Sequence, residues 1–293
     1  MKLEHDSSSP GAGVIELADE DRRRLRDAFR QLEYPSFAAH LAHAVGTPVD
    51  KGLKLIPPRW HRRFSGHLQA GIGRLLEAAV TRLGQGQPRS ERFYRRMARS
   101  TGAIGGLFGG SALLVELPLT TLIMLAAIAE IARSEGEDLN RPETRLACLE
   151  VFALGGRSKA DDAADTGYYG LRLALEAAVK QASRHIAEQG LSRNGAPAIS
   201  RMIVIVSERF GLILSEKAAA EMLPLAGAVG GAFINDLFVR HFQSMARSHF
   251  VMRRLERRYG RHYIEAEYRK LKSVRHERRA DPPAMMARSA SCQ

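Results

Sequence analysis

The sequence predicts an all-α protein, a multi-helix bundle with two glycine-faced apolar helical segments packed at its centre. Three observations carry this prediction. The first is a pair of segments, Gly102 to Ile131 (GAIGGLFGGSALLVELPLTTLIMLAAIAEI) and Met222 to Phe238 (MLPLAGAVGGAFINDLF). Gly102, Gly105, Gly106, Gly109 and Gly110 recur every three or four residues, which is one face of a helix. Gly227, Gly230 and Gly231 repeat the pattern in the second segment. Glycine weakens a soluble helix by up to about 1 kcal/mol per site relative to alanine, so a face of five requires a reason. Close approach of another helix, or of a lipid surface, supplies one. The second observation is composition: 45% apolar residues are enough for a sizeable core, and only 6% aromatics with much Ala, Leu and Arg favour helices over sheet. The third is period, because three- and four-residue apolar spacing runs through most of the chain.

Residues 1–18 are polar and small, including Ser7, Ser8, Ser9, Pro10, Gly11 and Gly13, and are expected to form a disordered arm. A single helical domain is expected over 19–272. Asp19 opens a charged helix through Leu32. Pro35 starts another, carrying Phe37, Leu41 and Val45. From Pro58 a helix runs to Leu83 with Phe64, Leu68, Ile72, Leu75 and Val80 near one stripe. Residues 84–90 (GQGQPRS) form a loop. Pro118 is expected to break or restart the helix of the first glycine segment, because it lacks an amide hydrogen. Asn140 caps a helix with Pro142 in its first turn, ending at Gly155-Gly156. An acidic loop with Asp161, Asp162 and Asp165 follows, then a helix from Tyr168 to Gln189 closed by Gly190. Ile199, Met202, Ile203, Val206, Phe210 and Ile213 form a further stripe. Pro224 opens the second glycine segment. Ile234, Phe238, Phe242, Met245, His249 and Met252 then predict one long helix to Tyr259, stopped by Gly260. Residues 273–293 are expected to be a basic, disordered tail.

The net charge of +12 points to an anionic partner surface. Cys148 and Cys292 make no disulfide framework and fit a reducing cytosol. The N-terminal residues contain no apolar signal region. Enzyme motifs are absent. GGRSK at 155–159 lacks the order of a phosphate-binding loop, and neither HExxH nor a serine-nucleophile elbow occurs. His40 with His43, and His241 with His249, share helix faces but have no accompanying acid or cysteine set, so neither a metal nor a cofactor is expected.

The order LEYPSFAAHLAHAVGTPVDKGLKLIPP, GGLFGGSALLVELPLTTLIMLAAIAEIARSEGEDL, LEVFALGG, YYGLRLAL and LPLAGAVGGAFINDLFVRHFQSMARSHFVMRRLERRYG resembles the EcsC protein family of bacteria over roughly residues 30–262. Single motifs are soft, being glycines, prolines and apolar residues; their order is what makes the match specific. The resemblance implies a membrane connection, in support of transport or secretion, because the family takes its name from an operon that also encodes an ABC transporter. It supplies no catalytic residue.

Helix length bears on how the glycine faces are used. Residues 103–115 would span about 20 Å and 117–132 about 24 Å, each short of a hydrocarbon core of about 30 Å. Joined, they would place Glu116 mid-membrane at roughly 3 kcal/mol or more. A buried hairpin or shallow insertion is therefore favoured over a true span. Basic residues at 89–99 precede the first segment, and Arg240, Arg247, Arg253, Arg254, Arg257 and Arg258 follow the second. Antiparallel packing would bring both basic ends to one side, where each cation near an anionic membrane is worth about 1 kcal/mol. Arg253, Arg254, Arg257 and Arg258, with Trp60 flanked by Arg59, Arg62 and Arg63, are the expected anionic surface contacts. Residues 253–279 carry eleven Lys/Arg against four Glu but no recognisable nucleic-acid-binding motif, so lipid is preferred to nucleic acid as the partner. The expected function is non-enzymatic peripheral docking on anionic lipid or a membrane protein complex, at the cytoplasmic side of the inner membrane. The alternatives are a cytosolic protein-interaction module with internal glycine helices, and a hydrolase whose site would gather Glu116, Asp161 and His249 around one pocket. Oligomeric state is not legible.

Overall fold

A computed structural model describes residues 16–33, 37, 41, 58–83, 87–108, 113–156, 167–190, 197–221 and 227–280, without the side chains of 58–67, 80, 106–108, 113–115, 227–228 and 275–280. Its elements are α1 (Asp19–Glu33), α2 (Pro58–Arg82), α3 (Glu91–Phe108), α4 (Leu113–Ser134), α5 (Pro142–Leu154), α6 (Tyr168–Gln189), α7 (Pro197–Glu221), α8 (Gly227–Tyr259) and α9 (Arg261–Ala280). No strand occurs among the described residues, and the all-α bundle is the architecture found.

The apolar period beginning at Ile234 builds the axis of the bundle. Helix α8 is 33 residues long, about 50 Å at 1.5 Å per residue, and touches α1, α3, α4, α5, α7 and α9. Ile234, Phe238, Phe242, Met245, His249 and Met252 are all buried along its inner side. Phe238 and Phe242 pack with Phe152 and Phe210 in an aromatic cluster, with centroid separations from 4.8 to 6.2 Å. The helix stops where Gly260 takes φ +89°, a left-handed conformation that glycine adopts without penalty.

Helix α3 runs antiparallel to α8 at close range. Gln243 Nε2 donates to the Glu91 carbonyl (3.1 Å), and Asn235 Nδ2 donates to the Ala98 carbonyl (3.0 Å). One turn further along α3, Gly102 lies against Gly231. A methyl group at Gly102 would collide with the Gly231 carbonyl oxygen and sit 2.8 Å from Asn235 Cβ. Both glycines are buried, and Gly230 is half-buried. Helix α4 then returns antiparallel along α3, with Thr101 and Thr120 hydroxyls 3.2 Å apart and Gly105 against the Glu116 carboxylate. Gly106 and Gly227 lie on helical backbone, with their surroundings outside the described residues, as are Gly109 and Gly110.

Three boundaries differ from expectation. Pro118 does not break its helix: α4 continues from Leu113 through Ser134. The proline sits near the helix start, where it forfeits one amide bond at a cost of about 3 kcal/mol. Burial of Thr121, Met124, Leu125 and Ile128 opposes that cost. Asn140 is not the cap of α5. Arg141 takes that position with extended backbone and no side-chain cap bond, while the Asn140 amide donates to Asp138 (2.9 Å). Helix α9 runs to Ala280, beyond the expected start of the tail at residue 273. Its inner side chains Ile264 and Tyr268 are buried, Tyr268 packs edge-on against Phe29 of α1 at 4.9 Å, and Arg269–Glu265 and Lys270–Glu267 pairs (2.6 Å each) support its outer face.

The glycine contact yields a paired prediction. Gly102→Ala should destabilise the protein by about 1–3 kcal/mol, because the added methyl meets backbone that cannot yield. Gly71→Ala, where nothing lies within 4 Å, should be neutral or stabilising by up to about 1 kcal/mol. Thermal unfolding of the two variants beside wild type checks this. Equal melting temperatures would contradict the close crossing.

Candidate functional site

The outer face of the α3–α8 pair concentrates charge around one carboxylate. Asp236, buried on α8, accepts from Arg95 Nε (3.0 Å) and Arg240 Nε (2.7 Å) and pairs with Arg99 Nε (3.0 Å). Burial alone would push the Asp236 carboxyl up, but the hydrogen bonds and charges of these arginines hold it below its ordinary value. One negative charge against three positive ones leaves two uncompensated. Arg92 and Arg96 are exposed on the same side of α3 and make no ion pair among the described residues, adding two more. Phe233 and Val229 lie three and seven residues before Asp236, on the same stripe of α8, and are 45% and 76% exposed. The face therefore joins exposed apolar side chains to a surplus of guanidinium groups.

Beneath it lies a buried polar core. Asn235 Nδ2 also reaches the hydroxyls of Thr101 (3.3 Å) and Thr120 (3.4 Å), tying α8 to α3 and α4. Lys217 of α7 is fully buried and donates to Glu116 (2.7 Å) and Glu221 (2.5 Å), with its ammonium 5.5 Å from the Phe238 ring centroid. Burial pushes the Glu221 carboxyl up, and Lys217 partly offsets this. Removing the cation from such a pair costs far more than the pair itself contributes, because the carboxylates would stay buried and unmatched.

The arginines expected to face an anionic surface are engaged by carboxylates of the protein itself, Arg253 and Arg254 partly buried and Arg257 and Arg258 exposed. Arg253 donates to both oxygens of Glu137 (2.8 and 3.1 Å), and Arg257 binds the same carboxylate. Arg254 pairs with Glu135 (2.8 Å), and Arg258 with Asp21 (3.0 Å), which also accepts from the Tyr259 hydroxyl (2.8 Å). The basic repeat at Arg253–Arg258 meets carboxylates from α1 and from the turn between α4 and α5. Arg59, Trp60, Arg62 and Arg63 lie on the α2 backbone, with side chains outside the described residues. Glu116 and His249 belong to separate clusters: Glu116 joins Gly105 and Lys217 beside Asn235, whereas His249 is fourteen residues further along α8, about 20 Å. Asp161, Asp162, Asp165, His40 and His43 are outside the described residues, among which no group of three or more His, Cys, Asp or Glu is arranged to hold a metal.

The model of the EcsC protein family matches residues 65–255, from within α2 almost to the end of α8. The chain belongs to the EcsC protein family. The matched span contains the Gly102–Gly231 crossing, the Glu116–Lys217 pair and the Asp236 arginine cluster, so all three lie in the part shared with the family. No curated protein and no solved structure matches this EcsC chain.

The Glu137 cluster gives a pH-dependent prediction. Burial raises the Glu137 carboxyl, but Arg253 and Arg257 outweigh burial and hold it below the ordinary range. A depressed folded-state pKa stabilises above the unfolded value, near pH 4.3, and that stability is lost as pH falls through the folded value. Arg253→Gln should therefore lower the melting temperature most near pH 7, and its deficit against wild type should narrow below about pH 4. A deficit constant from pH 7 to pH 3 would contradict this.

Proposed function

We propose that this EcsC protein docks peripherally on anionic membrane surface through the outer face of α3 and α8. The supporting observation is the cluster of Arg95, Arg99 and Arg240 on the single carboxylate of Asp236, beside exposed Phe233 and Val229. Guanidinium groups pair with lipid phosphates bidentately, and the apolar residues enter the headgroup boundary beside them. Asp236 holds the arginines in place without neutralising them. In this reading the glycine faces are spent on helix contact, and the membrane meets what they position. Helix α4 contains a stretch, Glu116–Ser134, long and apolar enough to cross a membrane, but most of it is buried in the bundle. Surface docking therefore fits better than a span.

The alternative of a protein-interaction module is favoured by one observation, the packing of Gly102 on Gly231 rather than outward. It would use the same arginine face toward an acidic protein.

Vesicle co-sedimentation tests the proposal. Wild type should bind vesicles of phosphatidylglycerol mixed with phosphatidylcholine, prefer them to pure phosphatidylcholine, and release in high salt. The double variant Arg92→Gln, Arg96→Gln should bind about 30-fold more weakly at low salt, from about 1 kcal/mol per cation. Its melting temperature should barely move, because both residues are exposed. No preference for anionic vesicles would refute the proposal and favour the protein partner.

A further inference from the structure

A second, buried polar cluster, remote from the α3–α8 face, borders a surface cleft through Glu150 and Arg172. Arg172 of α6 donates to both carboxylate oxygens of Glu256 (2.6 and 2.7 Å), and its Nη1 lies 3.3 Å from the Tyr168 hydroxyl. The same hydroxyl is 3.0 Å from His249 Nδ1. A guanidinium only donates, so the Tyr168 oxygen accepts from Arg172. His249 Nε2 is buried without a hydrogen-bond partner among the described residues and faces Glu150 Oε2 at 3.5 Å. Burial, with the charges of Arg172 and Arg253, keeps His249 neutral. Burial pushes the Glu150 carboxyl up, while Arg253 and Arg172 oppose it.

Glu150 is only 4% exposed, has no hydrogen bond among the described residues, and lines a cleft of about 600 Å³ between α5 and α6, with Arg253 of α8. This volume suits a small organic ligand and exceeds what a single ion needs. Arg172 and Arg253 in its wall are already committed to Glu256 and Glu137. Lys180 and Arg184, one turn apart on α6, are the exposed cations of the wall and make no ion pair among the described residues.

We propose that the cleft binds a hydroxylated phosphate ester, with its phosphate at Lys180 and Arg184 and a hydroxyl at Glu150. Two neighbouring cations match a phosphate. A hydroxyl gives its proton to the Glu150 carboxylate, which makes no hydrogen bond among the described residues. The same chemistry occurs in a free glycerol phosphate and in a glycerol-bearing lipid headgroup.

Thermal shift and calorimetric titration with glycerol 3-phosphate, propyl phosphate and short-chain phosphatidylglycerol below its micelle concentration test this. A ligand that occupies the cleft at about 10 mM should raise the melting temperature by about 2–4 °C. A rise with glycerol 3-phosphate assigns a free ester; a rise with the lipid alone assigns a headgroup in the cleft when it is lost in Lys180→Ala with Arg184→Ala and kept in Arg92→Gln with Arg96→Gln. Propyl phosphate, lacking the hydroxyls, should bind at least about tenfold more weakly than glycerol 3-phosphate if the free ester is the ligand. Lys180→Ala with Arg184→Ala should abolish the response in a folded protein, and Glu150→Gln should weaken it. The proposal is overturned if neither glycerol compound shifts the melting temperature, if propyl phosphate matches a glycerol 3-phosphate response, or if the rim double variant responds as wild type does. None of these outcomes depends on vesicle binding by the α3–α8 face.

Discussion

The contact between the backbones of Gly102 and Gly231 sets the separation of α3 and α8, and much of the bundle is arranged by that separation. With the helices this close, Asn235 reaches the Ala98 carbonyl directly and the Thr101 and Thr120 hydroxyls beside it. One residue later, Asp236 points the other way and collects arginines from α3 and from its own helix. A side chain at Gly102 would push the helices apart and lengthen the bonds that cross between them. The glycines cost helix propensity, and what they return is register.

Charge is distributed differently at the two ends of α8. Toward its N-terminus, three guanidinium groups share Asp236 and an excess of positive charge remains at the surface. Toward its C-terminus, Arg253, Arg254, Arg257 and Arg258 meet Asp21, Glu135 and Glu137, and the surplus is largely consumed. Overall basicity therefore says little about which arginines are available. What decides is whether acidic side chains from other helices are within reach, and those carboxylates come from residues more than a hundred positions away in the chain.

This is also where reading the sequence stops being sufficient. Helix type and most lengths follow from local pattern: the stripe from Ile234 to Met252 and the stop at Gly260 are both visible in the residues, as are the helices ending at Leu154 and Gln189. The passage of α4 through Pro118 is not visible, because the burial that opposes the proline comes from neighbouring helices. The extension of α9 to Ala280 was hidden by its charge, which reads as tail until Tyr268 is seen against Phe29. The pairing of Glu116 with Lys217 spans 101 residues and has no local signal. Asp236 was legible only as a partner of Arg240 one turn away; Arg95 and Arg99 join it through the antiparallel packing. The chain from Arg172 through Tyr168 and His249 toward Glu150 likewise draws on three helices, and only the lone histidines hinted at it.

A protein docking by a preformed face keeps its core closed on the membrane, whereas one that inserts its glycine helices must separate them. Amide hydrogen exchange of α3 and α8, measured free and on phosphatidylglycerol vesicles, distinguishes the two directly. The account predicts that amides around Gly102 and Gly231 exchange as slowly on the vesicles as in solution, with added protection confined to the outer residues near Arg96 and Phe233. Faster exchange at Gly102 and Gly231 on vesicle binding would mean that the helices part, and would contradict it.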